Sequence, residues 1–262
     1  MGSNAQSLLA YRSAHQDAPM DVIRDAADWG RVVKLIENWS RDPLNSASGY
    51  SISELDEIAE QRGLWFPFVL REWWRLAGKH PIVAQGLHPG NNWLCGPADP
   101  DLIGEPGLMT IVVEDAQTGG CTGIHQNFMA SPDPLLHSTN CTIDQDSQPH
   151  LPWFDGHFLE TGLNAPQLIH IALLYHLCYP DSLIAPGTLH LDVELPRNWR
   201  AIPKRLVDEL GLTRYESIAY IGDIYTNSVD VIYWPNMTVA CRTAAAAERV
   251  RGITPAKINK RR

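Results

Sequence analysis

The middle of the chain lacks lysine and arginine. None of the 117 residues between Lys79 and Arg197 is basic, although uniform use of the chain's 21 lysines and arginines would place about nine there. The same segment holds 13 aspartates and glutamates. Because a nucleic-acid-binding surface needs clustered cations to displace the counterions of phosphate, this composition argues against a nucleic-acid partner. Its natural complement is a cationic protein, although an acidic surface can also serve only to keep a protein dissolved.

The C-terminus is rich in the residues that the middle of the chain lacks. Residues 249–262 contain six basic residues and no acidic ones. The formal charge of the whole chain is −9, so without these six cations the preceding residues carry −15. We expect this short basic tail to be frayed, as chain ends of such composition commonly are.

Signatures of membrane proteins, secreted proteins and several enzyme classes are also absent. No apolar run reaches the roughly 18 residues that span a bilayer, and residues 1–20 lack a basic start followed by an apolar stretch. The five cysteines are an odd number without a Cys-x-x-Cys pair, which is typical of reduced cytoplasmic thiols. The chain has no Gly-x-Ser-x-Gly element and no glycine-rich phosphate loop. We therefore expect a cytoplasmic protein without membrane contact, catalytic residues or a cofactor.

Nine of the ten histidines lie in the segment without lysine and arginine, which raises the question of a metal site. His157 and Glu160 are three residues apart, and His170 and His176 are six apart, near opposite edges of one helical face. Neither spacing matches a His-Glu-x-x-His or paired-cysteine zinc site. We expect no dedicated metal site, and a metal-dependent hydrolase using His157 and Glu160 is the least favoured alternative.

Three amphipathic helices are predicted before any strand. Apolar residues recur with helical spacing over residues 29–39. A second helix begins after Ser51, which can form a capping box with Glu54, and ends at Gly63, a residue suited to the left-handed cap. A third helix covers residues 67–78, with a proline in its first turn.

Trp73 and Trp74 are adjacent in the third predicted helix and point about 100° apart. We expect one of them to fill the core and the other to lie at its edge. Core packing is favoured for Trp74, which shares a helical face with Leu70 and Ala77. Because tryptophan is also enriched at interface hot spots, the sequence leaves Trp73 open between the two roles.

The remaining chain alternates strands with loops and short helices. A hairpin is predicted from the strands 109–113 and 121–125, a long surface connection from Ser131 to Gly156, and a strongly apolar helix from Pro166. The final third predicts a strand at 189–195, a helix at 204–210, strands at 218–225, 229–234 and 237–242, and a helix capped by Thr243. These elements predict an α+β fold in which N-terminal helices pack on a mostly antiparallel sheet.

One segment resembles a known family. The signature of the SMI1/KNR4 (SUKH) superfamily is a Ser-capped acidic helix ending in Gly, followed by an aromatic-rich Arg-Glu helix. A pattern that resembles this signature occurs in residues 49–78, whose sequence is GYSISELDEIAEQRGLWFPFVLREWWRLAG. Residues 111–124 resemble the family's strand, Glu-Asn-Gln turn and Trp-Gly strand. Their sequence is IVVEDAQTGGCTGI, with Thr122 in place of the Trp. Residues 131–134, Ser-Pro-Asp-Pro, are similar to the Asp-Pro-Pro element that follows.

The resemblance implies an interaction module without catalytic machinery. Many bacterial members are immunity proteins that bind and neutralise a cognate polymorphic toxin, often a nuclease, and fungal relatives regulate cell-wall synthesis and signalling. We expect an immunity protein that binds a basic toxin stoichiometrically, with a regulatory or scaffold role as the alternative. The expected division is a flexible N-terminal segment (1–24), a SUKH-like domain (25–188), a C-terminal strand-strand-helix extension packed on the same domain (189–250) and a basic tail (251–262).

The expected contact surface combines the turn of the predicted hairpin with the 131–160 loop. Its carboxylates would face the lysines and arginines that a nuclease otherwise uses on phosphate, and its aromatic side chains would supply most of the affinity. The candidate partner-binding residues are Glu114, Asp115, Asp133, Asp144, Asp146, Trp153, Phe154, Asp155 and Glu160.

Overall fold

The chain divides into two compact units. The first comprises residues 1–30 and 44–169, and the second comprises residues 31–43 and 170–262, so that 31–43 and 170–188 fall outside the unit to which the sequence-based division assigns them. Helices and antiparallel sheets occur in the described chain, which confirms the predicted α+β class. The computed structural model describes residues 27–84, 93–103, 107–113, 120–131, 134–139, 159–178, 183–193, 201–215, 224–234, 238–254 and 256–258.

The described helices follow the predicted ones closely. They are α1 (Ala27–Trp39), α2 (Ile52–Arg62), α3 (Phe68–Ala77), α4 (Pro81–Ala84), α5 (Ala165–Leu177), α6 (Ala201–Leu210) and α7 (Ala244–Ile253). Short 3-10 helices cover Pro100–Ile103 and Gln126–Phe128. In the part of the chain that the structure describes, no helix combines the length and the apolar character needed to cross a bilayer.

The caps of α2 are those that the sequence predicts. The hydroxyl of Ser51 accepts a hydrogen bond from the Glu54 N–H (3.2 Å), and the Glu54 carboxylate accepts one from the Ser51 N–H (2.8 Å). At the other end Gly63 adopts the left-handed conformation, with φ 63° and ψ 30°, and its N–H donates to the carbonyls of Ala59 and Glu60. These contacts satisfy backbone groups that a helix end otherwise leaves unpaired.

Trp73 and Trp74 of α3 both lie in the core, so the expectation that one of them lines its edge is wrong. Each is 1% exposed. Trp73 stacks on Trp29 of α1, with ring centroids 5.7 Å apart. Trp74 packs edge-on against Phe66 at 4.9 Å, and its indole N–H donates to the carbonyl of Cys95 (3.0 Å). The two faces of α3 are therefore covered by different neighbours, which the helical period alone does not reveal.

The first unit contains a five-stranded sheet in the order β1-β2-β3-β4-β5. All of its described pairings are antiparallel, and β2 with β3 confirms the predicted hairpin. The predicted surface connection 131–156 contains β4, and this strand is therefore a correction to the prediction. The strands are β1 (Trp93–Leu94), β2 (Leu108–Val113), β3 (Cys121–His125), β4 (Leu136–Ser138) and β5 (Leu159–Glu160).

The second unit contains a six-stranded antiparallel sheet in the order β11-β6-β10-β9-β8-β7. Its buried core joins side chains of the sheet to Leu206 of α6 and Val250 of α7. The predicted cap of the last helix is confirmed, since the Thr243 hydroxyl accepts from the Ala246 N–H (3.1 Å). The sheet has more strands than the expected strand-strand-helix extension: β6 (Leu189–Val193), β7 (Thr213–Tyr215), β8 (Ile224–Thr226), β9 (Val231–Trp234), β10 (Thr238–Cys241) and β11 (Ala256–Ile258).

The strand β11 lies in the basic tail that the sequence predicts to be frayed. It pairs with β6, with Ala256 opposite Val193 and Ile258 opposite Leu191. Composition alone suggested fraying because six cations crowd into fourteen residues. Lysine is common in natural edge strands, so the pairing of β11 does not conflict with the basic composition of the tail.

Candidate partner-binding surface

Of the nine candidate partner-binding residues, the structure describes Glu160. It is exposed and lies in β5. The other eight lie outside the described residues, namely Glu114, Asp115, Asp133, Asp144, Asp146, Trp153, Phe154 and Asp155. The described strands that flank these eight nevertheless define where the acidic segments connect to the sheet.

The segments 114–119 and 140–158 both connect to the same end of the first sheet. Val113 pairs with Cys121 across β2 and β3, Thr139 follows β4 beside Cys121, and Leu159 pairs with Ser138. Because neighbouring strands lie about 4.8 Å apart, this row spans about 15 Å. We call it the open end of the first sheet, defined by Val113, Cys121, Thr139 and Leu159. Seven of the candidate residues belong to segments that begin and end there.

Thr139 links the end of β4 to β3 at the open end. Its hydroxyl accepts a hydrogen bond from the Cys121 N–H (2.8 Å) and donates to the Cys121 carbonyl (3.3 Å). Its own N–H donates to the same carbonyl (2.8 Å). These bonds continue the β3–β4 ladder beyond the last residue of β4, so the point from which residue 140 continues is fixed relative to β3.

A second feature lies on one face of the same strands. Gly123 pairs with His137, and His137 pairs with Glu160, so these three positions share a face of the sheet. His125, two residues after Gly123, projects to the same face. Phe128 of the following 3-10 helix stacks on the His137 ring, with centroids 5.2 Å apart and planes inclined by 14°. We call His125, Phe128, His137 and Glu160 the histidine face.

Local backbone contacts explain why the histidine face has this arrangement. The His125 imidazole accepts, through Nδ1, from the Asn127 N–H (3.3 Å), which caps the 3-10 helix and thereby places Phe128. A Cβ atom at Gly123 would lie 2.1 Å from the carbonyl oxygen of Met109. Only glycine therefore allows β3 to approach β2 this closely beneath the two imidazoles.

The histidine face combines buried and exposed groups. His137 is 9% exposed, whereas Phe128 is 42% exposed and Leu135, two residues before His137, is 43% exposed. Burial lowers the pKa of His137, and the neighbouring His125 lowers it further, against opposing effects of Glu160 and the Leu135 backbone. Since its ordinary value is already below 7, His137 is neutral at neutral pH. Its Nδ1 is buried and has no hydrogen-bond partner within the described chain.

The carboxylates near this sheet have no basic partner in the described chain. Arg62 of α2 reaches the segment just before the 3-10 helix Pro100–Ile103, where its guanidinium donates to the backbone carbonyls of Pro97 (3.0 Å) and Asp99 (2.7 Å) rather than to a carboxylate. Asp99, Asp101 and Glu160 therefore form no ion pair with lysine or arginine among the described residues.

The described residues indicate no metal ligation, and three of their four cysteines have a thiol whose pKa is raised. They contain no group of three His, Cys, Asp or Glu side chains arranged to hold a metal ion, and His157 of the alternative hydrolase site lies outside them. The thiols of Cys95, Cys178 and Cys241 are buried, and burial raises the pKa of each of them. A raised pKa keeps a thiol protonated and hence a poor nucleophile.

The sequence prediction did not single out the exposed Phe128 and Leu135, or the buried His137, as parts of a candidate site. The missing signal was β4, because only the pairing of Leu136–Ser138 with β3 brings His137 next to His125 and Glu160. A histidine in an unrecognised three-residue strand has no distinctive spacing.

No family model, no curated protein and no solved structure matches this chain.

Proposed function

We propose that this chain is a non-catalytic cytoplasmic module that binds a basic protein partner stoichiometrically, as an immunity protein of SUKH type binds its cognate toxin. The observation that carries the proposal is the stretch of 117 residues without lysine or arginine that contains the whole first sheet. Its carboxylates have no neighbouring cation in sequence, and the described ones near the first sheet, Asp99, Asp101 and Glu160, form no ion pair with a described lysine or arginine. A basic protein supplies the missing charges, whereas a nucleic acid would add further negative ones.

The arrangement at the open end supports the same proposal. Two segments that together contain Glu114, Asp115, Asp144, Asp146 and Asp155 connect to a row of backbone positions about 15 Å wide. A typical protein interface buries about 800 Å² on each partner, which corresponds to a patch roughly 28 Å across, wider than this row. One toxin domain can therefore contact both segments at once. The carboxylates of these segments would then cover the cations with which the toxin binds phosphate.

Charge and apolar contacts have different roles in such a complex. Exposed ion pairs contribute about 0.2–1 kcal/mol each, so they speed association more than they tighten binding. Most of the affinity is expected from a few aromatic anchors, for which the candidates are Trp153, Phe154 and the exposed Phe128. The buried protonated thiols support a binding role over a nucleophilic one.

The proposal is tested by identifying the partner and measuring how its association depends on salt. The tagged full-length chain is co-purified from its host, and the partner is expressed separately. We expect a basic protein that binds one to one, with an association rate that falls at least tenfold between about 50 and 500 mM NaCl.

Two results would contradict this proposal. Association that is equally fast at both salt concentrations removes the electrostatic role, and a tight one-to-one complex with an acidic partner removes the role of the carboxylates. A basic partner that regulates host processes, rather than a toxin, replaces the immunity role by the scaffold role and leaves the charge argument intact.

A further inference from the structure

We propose that the histidine face is a docking site for an arginine side chain of the partner, in which the guanidinium stacks on Phe128 and pairs with Glu160. This inference rests on the proposed binding function and names the chemical group that the surface selects. It concerns described residues only, and it is separate from the acidic segments at the open end.

The first argument is the geometry of the aromatic rings. Phe128 covers His137 with one side of its ring, the planes being nearly parallel at 14°, and 42% of the Phe128 residue remains in contact with solvent. A stacked pair of this kind presents a flat, rigid surface. The planar guanidinium of arginine stacks on such a surface, whereas the ammonium of lysine is compact and strongly hydrated.

The second argument is charge. Glu160 is exposed and lies opposite His137 on the same face of the sheet, and it has no lysine or arginine partner in the described chain. The sequence from 80 to 196 supplies no competing cation. His137 is neutral at neutral pH, so it does not cancel the Glu160 charge. A cation that stacks on Phe128 therefore gains a carboxylate that forms no ion pair with a described lysine or arginine.

The third argument is the apolar rim. Leu135 is 43% exposed and precedes His137 by two residues along the same stretch of chain. The aliphatic stem of an arginine covers apolar surface while its head group remains at a polar site. Exposed leucine and phenylalanine beside one carboxylate thus match both parts of the side chain.

The experiment uses short peptides as probes of the full-length chain. Acetyl-Gly-Arg-Gly-amide is compared with the same peptide containing lysine and with one containing citrulline, which keeps the shape of arginine and lacks its charge. Binding is followed at low ionic strength by the NMR shifts of the Phe128 ring. We expect the arginine peptide to shift this ring and to bind about twofold to fivefold more tightly than the lysine peptide, and the citrulline peptide to cause no shift.

Three variants locate the contact. Phe128→Leu keeps apolar bulk and removes the aromatic face, and we expect it to weaken binding of the arginine peptide about twofold to fivefold. Glu160→Gln removes the charge and is expected to weaken binding about twofold or more. The matched control is Glu60→Gln, an exposed carboxylate of α2 outside the histidine face, which is expected to leave the affinity unchanged.

The inference is overturned if arginine, lysine and citrulline peptides bind alike, or if Phe128→Leu and Glu160→Gln bind the arginine peptide as the unaltered chain does. Its failure is distinguishable from failure of the proposed function. A basic partner that binds Phe128→Leu and Glu160→Gln with unaltered affinity and salt dependence leaves the function standing and moves the contact elsewhere. Absence of any basic partner removes the function itself, whatever the peptides show.

Discussion

The first sheet and the second unit differ in their content of lysine and arginine. In the second unit, described lysines and arginines pair with carboxylates of the same unit, as in Lys204 with Asp208 (2.7 Å) and Arg205 with Glu209 (2.9 Å) on α6. Arg249 pairs with Asp230, and Arg251 with Glu248. The described strands of the first sheet carry Glu160 and no basic residue. Four carboxylates of the second unit are therefore neutralised by cations of the same unit, whereas Glu160 of the first sheet has no such partner among the described residues.

The helices of the first unit resemble the second unit in this respect. The Glu54 carboxylate accepts from the Lys79 ammonium (2.6 Å), and this contact, with the Ser51 N–H, lowers the pKa of Glu54 to about 2. Arg71 pairs with Asp56 (2.7 Å). The contrast is thus not between two units of opposite charge but between the sheet segment 93–160, which lacks lysine and arginine, and the parts of the described chain that contain them. A sheet whose sequence segment lacks lysine and arginine is consistent with the proposed surface for a basic partner.

The largest expected effect separates the buried aromatic side chains of the first unit from the exposed one. Trp73→Ala removes a fully buried ring that stacks on Trp29, and we expect it to lower the free energy of unfolding by about 3–5 kcal/mol. Phe128→Ala is expected to cost less than about 1 kcal/mol, because the ring is 42% exposed. Urea unfolding followed by circular dichroism measures both. Equal losses would show that Phe128 serves the core and would weaken its assignment to a binding surface.

A smaller effect is expected from pH and concerns the second unit. His170 of α5 is 3% exposed and packs against the Tyr215 ring at 4.9 Å. Burial, with a smaller contribution from Arg31, lowers its pKa from 6.5 to about 4. Below pH 6.5 the unfolded chain therefore binds a proton that the folded protein does not bind until about pH 4. Because protonation favours the unfolded chain over this interval, the free energy of unfolding decreases as the pH falls from about 6.5 to about 4, by up to about 3 kcal/mol.

The measurement for His170 is urea unfolding at a series of pH values from 7 to 4.5. His170→Leu removes the titrating group and keeps a buried apolar side chain, so the difference between the two proteins isolates the contribution of this residue. We expect the variant to lose less stability on acidification than the unaltered chain. Identical pH profiles would mean that the pKa of His170 is the same in the folded and unfolded chain. Any loss of stability at acidic pH would then have to be assigned to other buried histidines.

The local elements of the fold could be predicted from the sequence, but the contacts between distant segments could not. Ser51, Glu54 and Gly63 mark the ends of α2 because capping is determined by residues within one turn of each other. The burial of Trp73 depends on Trp29, which is 44 residues away, so the helical period could not decide it. The strand β11 was hidden by its basic composition, although its backbone pairs normally with β6.

The candidate site divides in the same way. The charge pattern on which the proposed surface for a basic partner depends is visible in the sequence. The histidine face is not, because it depends on the register of β3, β4 and β5. A three-residue strand such as Leu136–Ser138 has neither a hydrophobic period nor a turn signal of its own. Once that strand is missed, nothing in the sequence places His137 beside Phe128 and Glu160.

The smallest effects test the charge contrast directly. Asp230→Asn removes one partner of Arg249 at a side chain that is 22% exposed, and we expect it to lower the free energy of unfolding by about 1 kcal/mol at low salt. Glu160→Gln removes a carboxylate without a basic partner in the described chain, so its unfolding free energy should change by less than about 0.5 kcal/mol. Urea unfolding at about 20 mM and 500 mM NaCl compares the two, and the Asp230 effect should shrink at high salt because exposed charges are screened. A Glu160→Gln loss as large as that of Asp230→Asn would mean that Glu160 is neutralised within the chain, and the histidine face would then have no charge to offer an arginine.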